Sequence, residues 1–339
     1  MEEKIRNLLG PLEDSLGYDF RQHESDEEFS GPADNSRKRR NGYEEVQKNK
    51  KRALSKWQII SRKVSELLQR TAICPLEGIK AEQCFLDDDV LTDPDNANRV
   101  NEAIKLWSHK INNYSLRDFY NMYDFNNLNF ITEYTYIFSK SKTYYNLHDS
   151  TVLLDRLLKH QFNDDENEIK DFLQNLVNVV DFQPPDNPHS NIKCNTLLVI
   201  SPPSGGKNFF FDTLFTSLLN LGQLGTANRS NNFAFQDAAN RRIILWNEPN
   251  YESSMTDYLK TLFEGGDTKV RVKMLGDTHV KRTPIIILTN NHVNFMSDIA
   301  FKDRIKQYKW KTAPFLKDFL LKPYPLSFFE LLLKYKIKF

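Results

Sequence analysis

Cysteine is nearly missing from this chain. Its three cysteines, Cys74, Cys84 and Cys194, stand far apart among 339 residues. None forms a Cys-x-x-Cys pair, so neither a disulfide framework nor a zinc module is expected, and the thiols are read as reduced. Long apolar runs are lacking too. No stretch reaches the roughly 18 residues a membrane-spanning helix needs, so no membrane association is expected. The N-terminal MEEKIRNLLGPLEDSLGYDF carries no apolar core of a signal peptide. Nor does one sign of charge prevail: 46 Lys and Arg against 45 Asp and Glu leave a net +1. The whole-chain balance therefore predicts no polyanionic partner, and only the distribution of charge can. The length suits two domains, or one large core with an appendage.

That distribution is uneven. Residues 24–34, ESDEEFSGPAD, are acidic, and Arg37, Lys38, Arg39 and Arg40, then Lys48, Lys50, Lys51 and Arg52, are basic. Charge blocks without apolar periodicity stay solvated, so residues 1–56 are expected to be a disordered tail. The two basic clusters and their short spacer fit a bipartite nuclear-import signal; a plain solvated tail and a nucleic-acid-binding arm are the alternatives.

Residues 57–190 read as helical. In WQIISRKVSELLQR, Ile59, Ile60, Val64, Leu67 and Leu68 share a face. Ile104, Leu106 and Trp107 begin a second helix, Leu153, Leu154, Leu157 and Leu158 mark a third, and Ile169, Phe172, Leu173, Leu176 and Val180 a fourth. The aromatics Tyr134, Tyr136, Phe138, Tyr144 and Tyr145 are read as core rather than as a base-stacking surface. QPPDNPHSN at 183–191 breaks the pattern. Beyond it the texture changes. LLVI at 197–200, RIILW at 242–246 and PIIILTN at 284–290 are short apolar runs with helix-like sequence between them. Alternating helix and continuously apolar strand predicts an α/β fold, a parallel sheet covered on both faces.

The first apolar run leads into Ser201-Pro202-Pro203-Ser204-Gly205-Gly206-Lys207-Asn208, close to the phosphate-binding pattern GxxxxGK[ST]. Such a loop must be tight and small so that backbone N–H groups converge on phosphate oxygens, while the helix behind it presents its positive end. Lys207 adds a point charge for the outer phosphates. Two positions depart from the pattern: Ser201 replaces glycine, and Asn208 replaces the hydroxyl residue that binds Mg²⁺. The second run ends at Asn247-Glu248, 41 residues beyond Lys207. A carboxylate there can polarise water beside Mg²⁺, or be an ordinary exposed strand end. The third run ends at Thr289-Asn290. The Asn290 amide can sit between the γ-phosphate and an attacking water, with Thr289 capping a turn. Between the second and third runs, Val270, Val272 and Met274 alternate with Arg271 and Lys273, Gly276-Asp277 suits a turn, and His279, Lys281 and Arg282 return. That is a basic β-hairpin by pattern, suited to gripping phosphates or to lying solvated at an edge.

In this order, SPPSGGKNFFFD, ILWNEPNYES, GDTKVRVK, KRTPIIILTNN and AFKDRIK resemble superfamily 3 helicases. More closely, they resemble the helicase domain of the large non-structural replication protein of densoviruses and bidnaviruses. The resemblance is strongest over about 190–312. It implies a P-loop NTPase core of AAA+ type at 191–312, a preceding helical oligomerisation region and a basic C-terminal tail at 313–339. It also implies a hexameric ring that hydrolyses ATP with Mg²⁺ and tracks on single-stranded viral DNA in the host nucleus. Carried over position by position, Ser204, Gly205, Gly206, Lys207 and Asn208 would hold ATP. Asn208 and Glu248 would hold the metal, Glu248 would activate water, Asn290 would act as sensor and Arg304 as the arginine finger. Lys273, His279 and Lys281 would meet DNA. Two departures stand out. Asn247 sits where many relatives have a second acid. The nickase of full-length relatives, with its His-hydrophobe-His pair, has no counterpart among the seven histidines, although Tyr136 and Lys140 have the Tyr-xxx-Lys spacing. A helicase-only protein, a shortened copy such as one integrated in a host genome, an ATPase that remodels DNA without unwinding it, and a catalytically decayed DNA-binding remnant are the readings left open. In the tail, Lys334, Lys336 and Lys338 can touch DNA or lie on the solvated face of a closing helix.

Overall fold

The computed structural model describes residues 54–126, 129–131, 143–182, 193–228 and 230–339. The charged tail with its import clusters, the aromatics Tyr134, Tyr136 and Phe138, Lys140 and the 183–191 breaker lie outside the described residues. Helix α1 (Lys56–Arg70) starts at a capping box between Ser55 and Gln58. It buries Ile60, Val64 and Leu68. Ile59, predicted on the same face, is instead 39% exposed; one residue from Ile60, it is turned about 100° away on the helix. Strand β1 (Thr71–Ile73) follows. Helix α2 (Ala97–Ile111) begins seven residues before Ile104, the start that the apolar pattern predicts. It buries Val100, Ala103, Ile104 and Trp107 and leaves Leu106 in solvent. Helix α3 (Leu116–Asn126) and strand β2 (Asn129–Ile131) complete this part, with β2 parallel to β1.

Helices α4 (Leu147–Gln161) and α5 (Glu166–Val180) are capped by Asn146 and Asp165. Every leucine predicted inward on α4 and every apolar residue predicted inward on α5 is buried. Next come β3 (Thr196–Ile200), α6 (Lys207–Ser217), β4 (Leu221–Gln223), β5 (Ile243–Asn247), α7 (Thr256–Phe263), β6 (Thr268–Val272), β7 (Gly276–Val280), β8 (Ile285–Thr289), β9 (Ile305–Lys309) and α8 (Ser327–Lys334). The order β4-β5-β8-β3-β9 forms one five-stranded sheet with all neighbours parallel. Thus the expected α/β core with a parallel sheet is present, and three of its five strands, β3, β5 and β8, lie where the apolar runs predict them.

Alternation along the strands divides the interior. Leu197, Val199, Ile243, Ile286 and Leu288 face one core, shared with Leu157, Phe172, Phe210, Phe211 and Phe328. Leu198, Ile244, Trp246, Ile285 and Ile287 face the other, shared with Leu259, Phe263 and Phe295. A strand buried on both sides can be apolar throughout, which is why these runs read as continuous. The first core extends without a break to Ile60, Val64 and Trp107, so the leading helices and the sheet are packed together. The tail belongs to it as well: Phe328, Phe329, Leu331 and Leu332 of α8 are buried.

Candidate functional site

The loop after β3 is built by the sheet on one side and by helix α4 on the other. Ser201 extends the β3 ladder, donating its N–H to Thr289 O at 3.1 Å. Its backbone is thus strand-like, so glycine is not needed there. The hydroxyl instead fills the space beneath Gly205, where an added Cβ would meet Ser201 Oγ at 2.4 Å. Gly206 carries φ 84° and caps α6, a conformation L-residues avoid. A side chain there would also strike Leu157 and Leu316. Gln161, buried at the end of α4, braces the loop: its Nε2 donates to Gly205 O and Lys311 O, both at 2.9 Å, and its Oε1 accepts from Lys311 N at 2.7 Å. Ala313 N donates to Ser204 O at 2.9 Å.

Lys207, the first residue of α6, is buried, and its ammonium has three partners. It donates to Ser201 Oγ and Asn290 Oδ1, each at 2.8 Å, and to Ser201 O at 3.2 Å. Burial holds it below the usual lysine pKa, and the charge of Glu248 opposes that shift. Glu248 leaves β5 with φ 48°, a left-handed backbone that a non-glycine residue holds only when its surroundings fix it. Two contacts do so: Glu248 N donates to Leu288 O at 2.8 Å, and the carboxylate accepts Asn290 N at 2.9 and 3.1 Å. The Thr289 hydroxyl lies 2.8 Å from Asn291 O and 3.3 Å from Glu248 Oε2. Its single proton favours the shorter contact, so Thr289 closes a turn and leaves Glu248 an accepting oxygen. Lys207, Asn290 and Glu248 therefore form one polar chain across the C-terminal ends of β3, β8 and β5, the end of a parallel sheet where ligands bind. Glu248, Asn208 and Asn247 are exposed beside it.

Arg304 is elsewhere. It precedes β9, and β9 runs parallel to β3 with Thr196 opposite Ile305. It therefore lies at the far edge of the sheet from the loop. Its guanidinium pairs with Glu264 at 2.8 Å, and it donates to Lys260 O at 3.1 Å and to Ala300 O.

The hairpin pairs β6 with β7 in antiparallel register, Lys269 opposite His279 and Arg271 opposite Asp277. Thr268, Val270 and Val280 are turned inward. The turn falls at Lys273–Leu275, slightly before the expected Gly276-Asp277: Leu275 N bonds Val272 O, Met274 has φ 67° and Gly276 φ 75°, and Asp277 is already paired. Lys269, Arg271, Lys273, His279 and Lys281 are exposed. Asp267 lies 3.0 Å from the His279 ring, and Asp277 lies 3.8 Å from Arg271. The tip is apolar, with Met274 94% and Leu275 75% exposed. Lys269, Ser201 and Gln161 join these sites without having been predicted as functional. Lys269 lies in the same alternation as Arg271 and Lys273 and Ser201 heads the loop pattern, whereas nothing local marks Gln161. Among the described residues no group of three or more His, Cys, Asp or Glu side chains converges to hold a metal. No helix among them is long and apolar enough to cross a membrane.

Residues 115–312 match the family model described as Parvovirus non-structural protein NS1. The chain belongs to that family. Two NS1 relatives, the initiator proteins of Diatraea saccharalis densovirus and Junonia coenia densovirus, are each 50% identical to this chain over 288 residues. Those residues are 84% of this chain and 51% of each relative. The chain thus spans about half the length of the NS1 proteins it matches. The initiator protein NS1 of Bombyx mori densovirus is 36% identical over 201 residues, 57% of this chain and 22% of that protein. Among solved structures, the JCV helicase aligns with 83% of this chain and 82% of its own at 12% identity and a TM-score of 0.48.

Proposed function

We propose that this chain is the ATP-driven DNA helicase motor of a densovirus-type NS1 protein, working as a hexameric ring on single-stranded viral DNA in the host nucleus. The observation that carries the reading is the Lys207–Asn290–Glu248 chain at the ends of three adjacent parallel strands. The loop suits a nucleotide's phosphates: a left-handed Gly206 opens α6, and no side chain fits at Gly205. Backbone N–H groups of Ser204, Gly205, Gly206, Lys207 and Asn208 would face the phosphates, with the positive end of α6 behind them. The Lys207 ammonium, desolvated and held by neutral groups, gains a charged partner when a phosphate arrives.

Asn208 and Glu248 fit Mg²⁺, which needs only one or two protein oxygens beside phosphate and water. Bound there, Mg²⁺ supplies neutralisation of phosphate charge. The exposed carboxylate of Glu248, oriented by Asn290 N, accepts the proton of an attacking water, and the Asn290 amide positions that water. Arg304, too far from its own loop, serves a neighbouring subunit's nucleotide. The hairpin cations, Lys273, His279 and Lys281 among them, hold DNA phosphates through salt-dependent contacts.

The test is steady-state ATP hydrolysis with and without single-stranded DNA, with Lys207→Ala as control. Turnover that rises with DNA and vanishes in Lys207→Ala is expected, followed by strand displacement. Folded protein with turnover no higher than the control's would overturn the motor and favour a nucleotide-binding remnant. DNA-stimulated turnover without strand displacement would leave a remodelling ATPase.

A further inference from the structure

Glu264 stands where the hairpin and Arg304 meet. It is the residue between α7 and the Gly265-Gly266 pair that opens the hairpin. Its side chain pairs with Arg304 Nη2 at 2.8 Å. Its carbonyl accepts Arg282 Nη1 at 3.1 Å, and Arg282 lies just beyond β7. Gly265, with φ 74°, passes so close to Arg282 that an added Cβ would meet its Cγ at 2.6 Å. Both legs of the hairpin thus converge on Glu264, and so does Arg304.

Arg304 cannot reach a phosphate on its own subunit's loop. The five-residue strands β3 and β9 run in parallel register, which separates the start of β9 from the loop by about 16 Å. Within its own subunit the guanidinium is taken up by Glu264, Lys260 O and Ala300 O. The Lys260 contact lies at the C-terminal end of α7, whose negative dipole end favours a cation. The Glu264 contact is of another kind. Its side chains are 18% and 28% exposed, so the pair is partly buried with one edge in water, and a stronger anionic partner can displace the carboxylate from it. A polyphosphate offers a guanidinium several charged oxygens in place of one carboxylate.

We infer that Glu264 is a positioning residue that docks Arg304 on its own subunit until a neighbour's nucleotide competes for it, and that DNA on the hairpin favours release through the shared root. The inference rests on the ring-forming hydrolase reading. DNA then stimulates turnover by loosening Glu264's hold, and engagement of Arg304 frees a charge at the base of the hairpin.

Glu264→Gln in the full chain keeps the shape and an acceptor but removes the charge. Turnover without DNA is expected to rise about fivefold, the factor that corresponds to releasing an ion pair of ~1 kcal/mol. The stimulation ratio should fall by a similar factor. Arg304→Ala and Lys207→Ala should be inactive in both conditions. A strut that merely supports the fold would change melting temperature and leave the stimulation ratio alone. Folded Glu264→Gln with the wild-type rate and ratio, beside inactive Arg304→Ala and Lys207→Ala, overturns the latch and leaves the motor standing. Wild-type turnover in Lys207→Ala overturns the motor and the latch with it. Should Glu264→Gln fail to fold, Glu264→Asp, one methylene shorter, must raise the DNA-independent rate, and an unchanged rate and ratio again overturn the inference.

Discussion

Glu248 is held in a left-handed backbone by an amide on the neighbouring strand, so its carboxylate is oriented before any substrate arrives. Such an arrangement favours catalysis over binding: removing the charge while keeping the shape should spare the loop and stop proton transfer. Glu248→Gln is expected to bind ATP as the parent does and to hydrolyse it about 10²–10⁴-fold more slowly, the usual contribution of a general base. Fluorescent-nucleotide titration beside turnover checks this, and a matched loss in both would mean that Glu248 supports the loop. Lys207, Glu248 and Asn290 are legible in the sequence because each follows an apolar strand, where polar residues of those types gather. Ser201 and Gln161 are not. Ser201 reads as a defect in the loop, and only the close approach of Gly205 explains it. Gln161 ends an ordinary amphipathic helix and meets the loop only through tertiary packing.

At the scale of elements, the hairpin and α8 divide the basic residues in a way that sequence alone leaves open. Lys334 pairs with Asp155 at 2.8 Å, Lys159 pairs with the same carboxylate at 3.1 Å, and Tyr335 Oη donates to it at 2.6 Å. Lys334 is therefore a fastener between α8 and α4. Burial alone would raise the Asp155 carboxyl, but these three hydrogen bonds outweigh it and hold the group below its usual range. A lowered carboxyl stabilises the fold above its unfolded-state value near 3.9 and loses that contribution as pH falls through its folded value. Asp155→Asn should therefore lower stability by about 1–3 kcal/mol at neutral pH, with the difference from the parent closing as pH drops below about 4. Thermal melts across that range test it; a deficit independent of pH would mean a packing defect instead. The hairpin cations remain exposed on one face. Replacing Lys273 and Lys281 with alanine should weaken single-stranded DNA binding at low salt. It should also flatten the dependence of log affinity on log salt by about 0.7 for each phosphate that is no longer neutralised. An unchanged slope would place DNA elsewhere. The alternation of apolar and basic residues predicts this hairpin, but its turn is displaced because Met274 takes a left-handed position that glycine would ordinarily hold.

Across the whole molecule, the leading helices and the sheet meet around a buried charge that the sequence hides inside a strand-like run. Arg242 enters β5 with a side chain 5% exposed, and Asp181 after α5 is 3% exposed. Their ion pair is 2.7 Å long. Arg242 also donates to Tyr114 O and Val180 O at 2.9 Å, and Asp181 accepts Leu116 N at 2.8 Å. One guanidinium thus ties α3, α5 and β5 together. Burial disfavours both charges, pushing the Asp181 carboxyl up against the pull of Arg242 and the guanidinium down. The pair is therefore better suited to fixing the register of helices on sheet than to adding net stability. Asp181→Ala should cost about 3–5 kcal/mol, because it strands a buried guanidinium. Replacing both residues together, with Leu at 181 and Met at 242, should cost much less than the sum of the single changes. Denaturant unfolding of the four proteins closes this cycle. A double replacement as costly as the sum would mean that each group acts through its own backbone contacts and that the ion pair does not join the two layers.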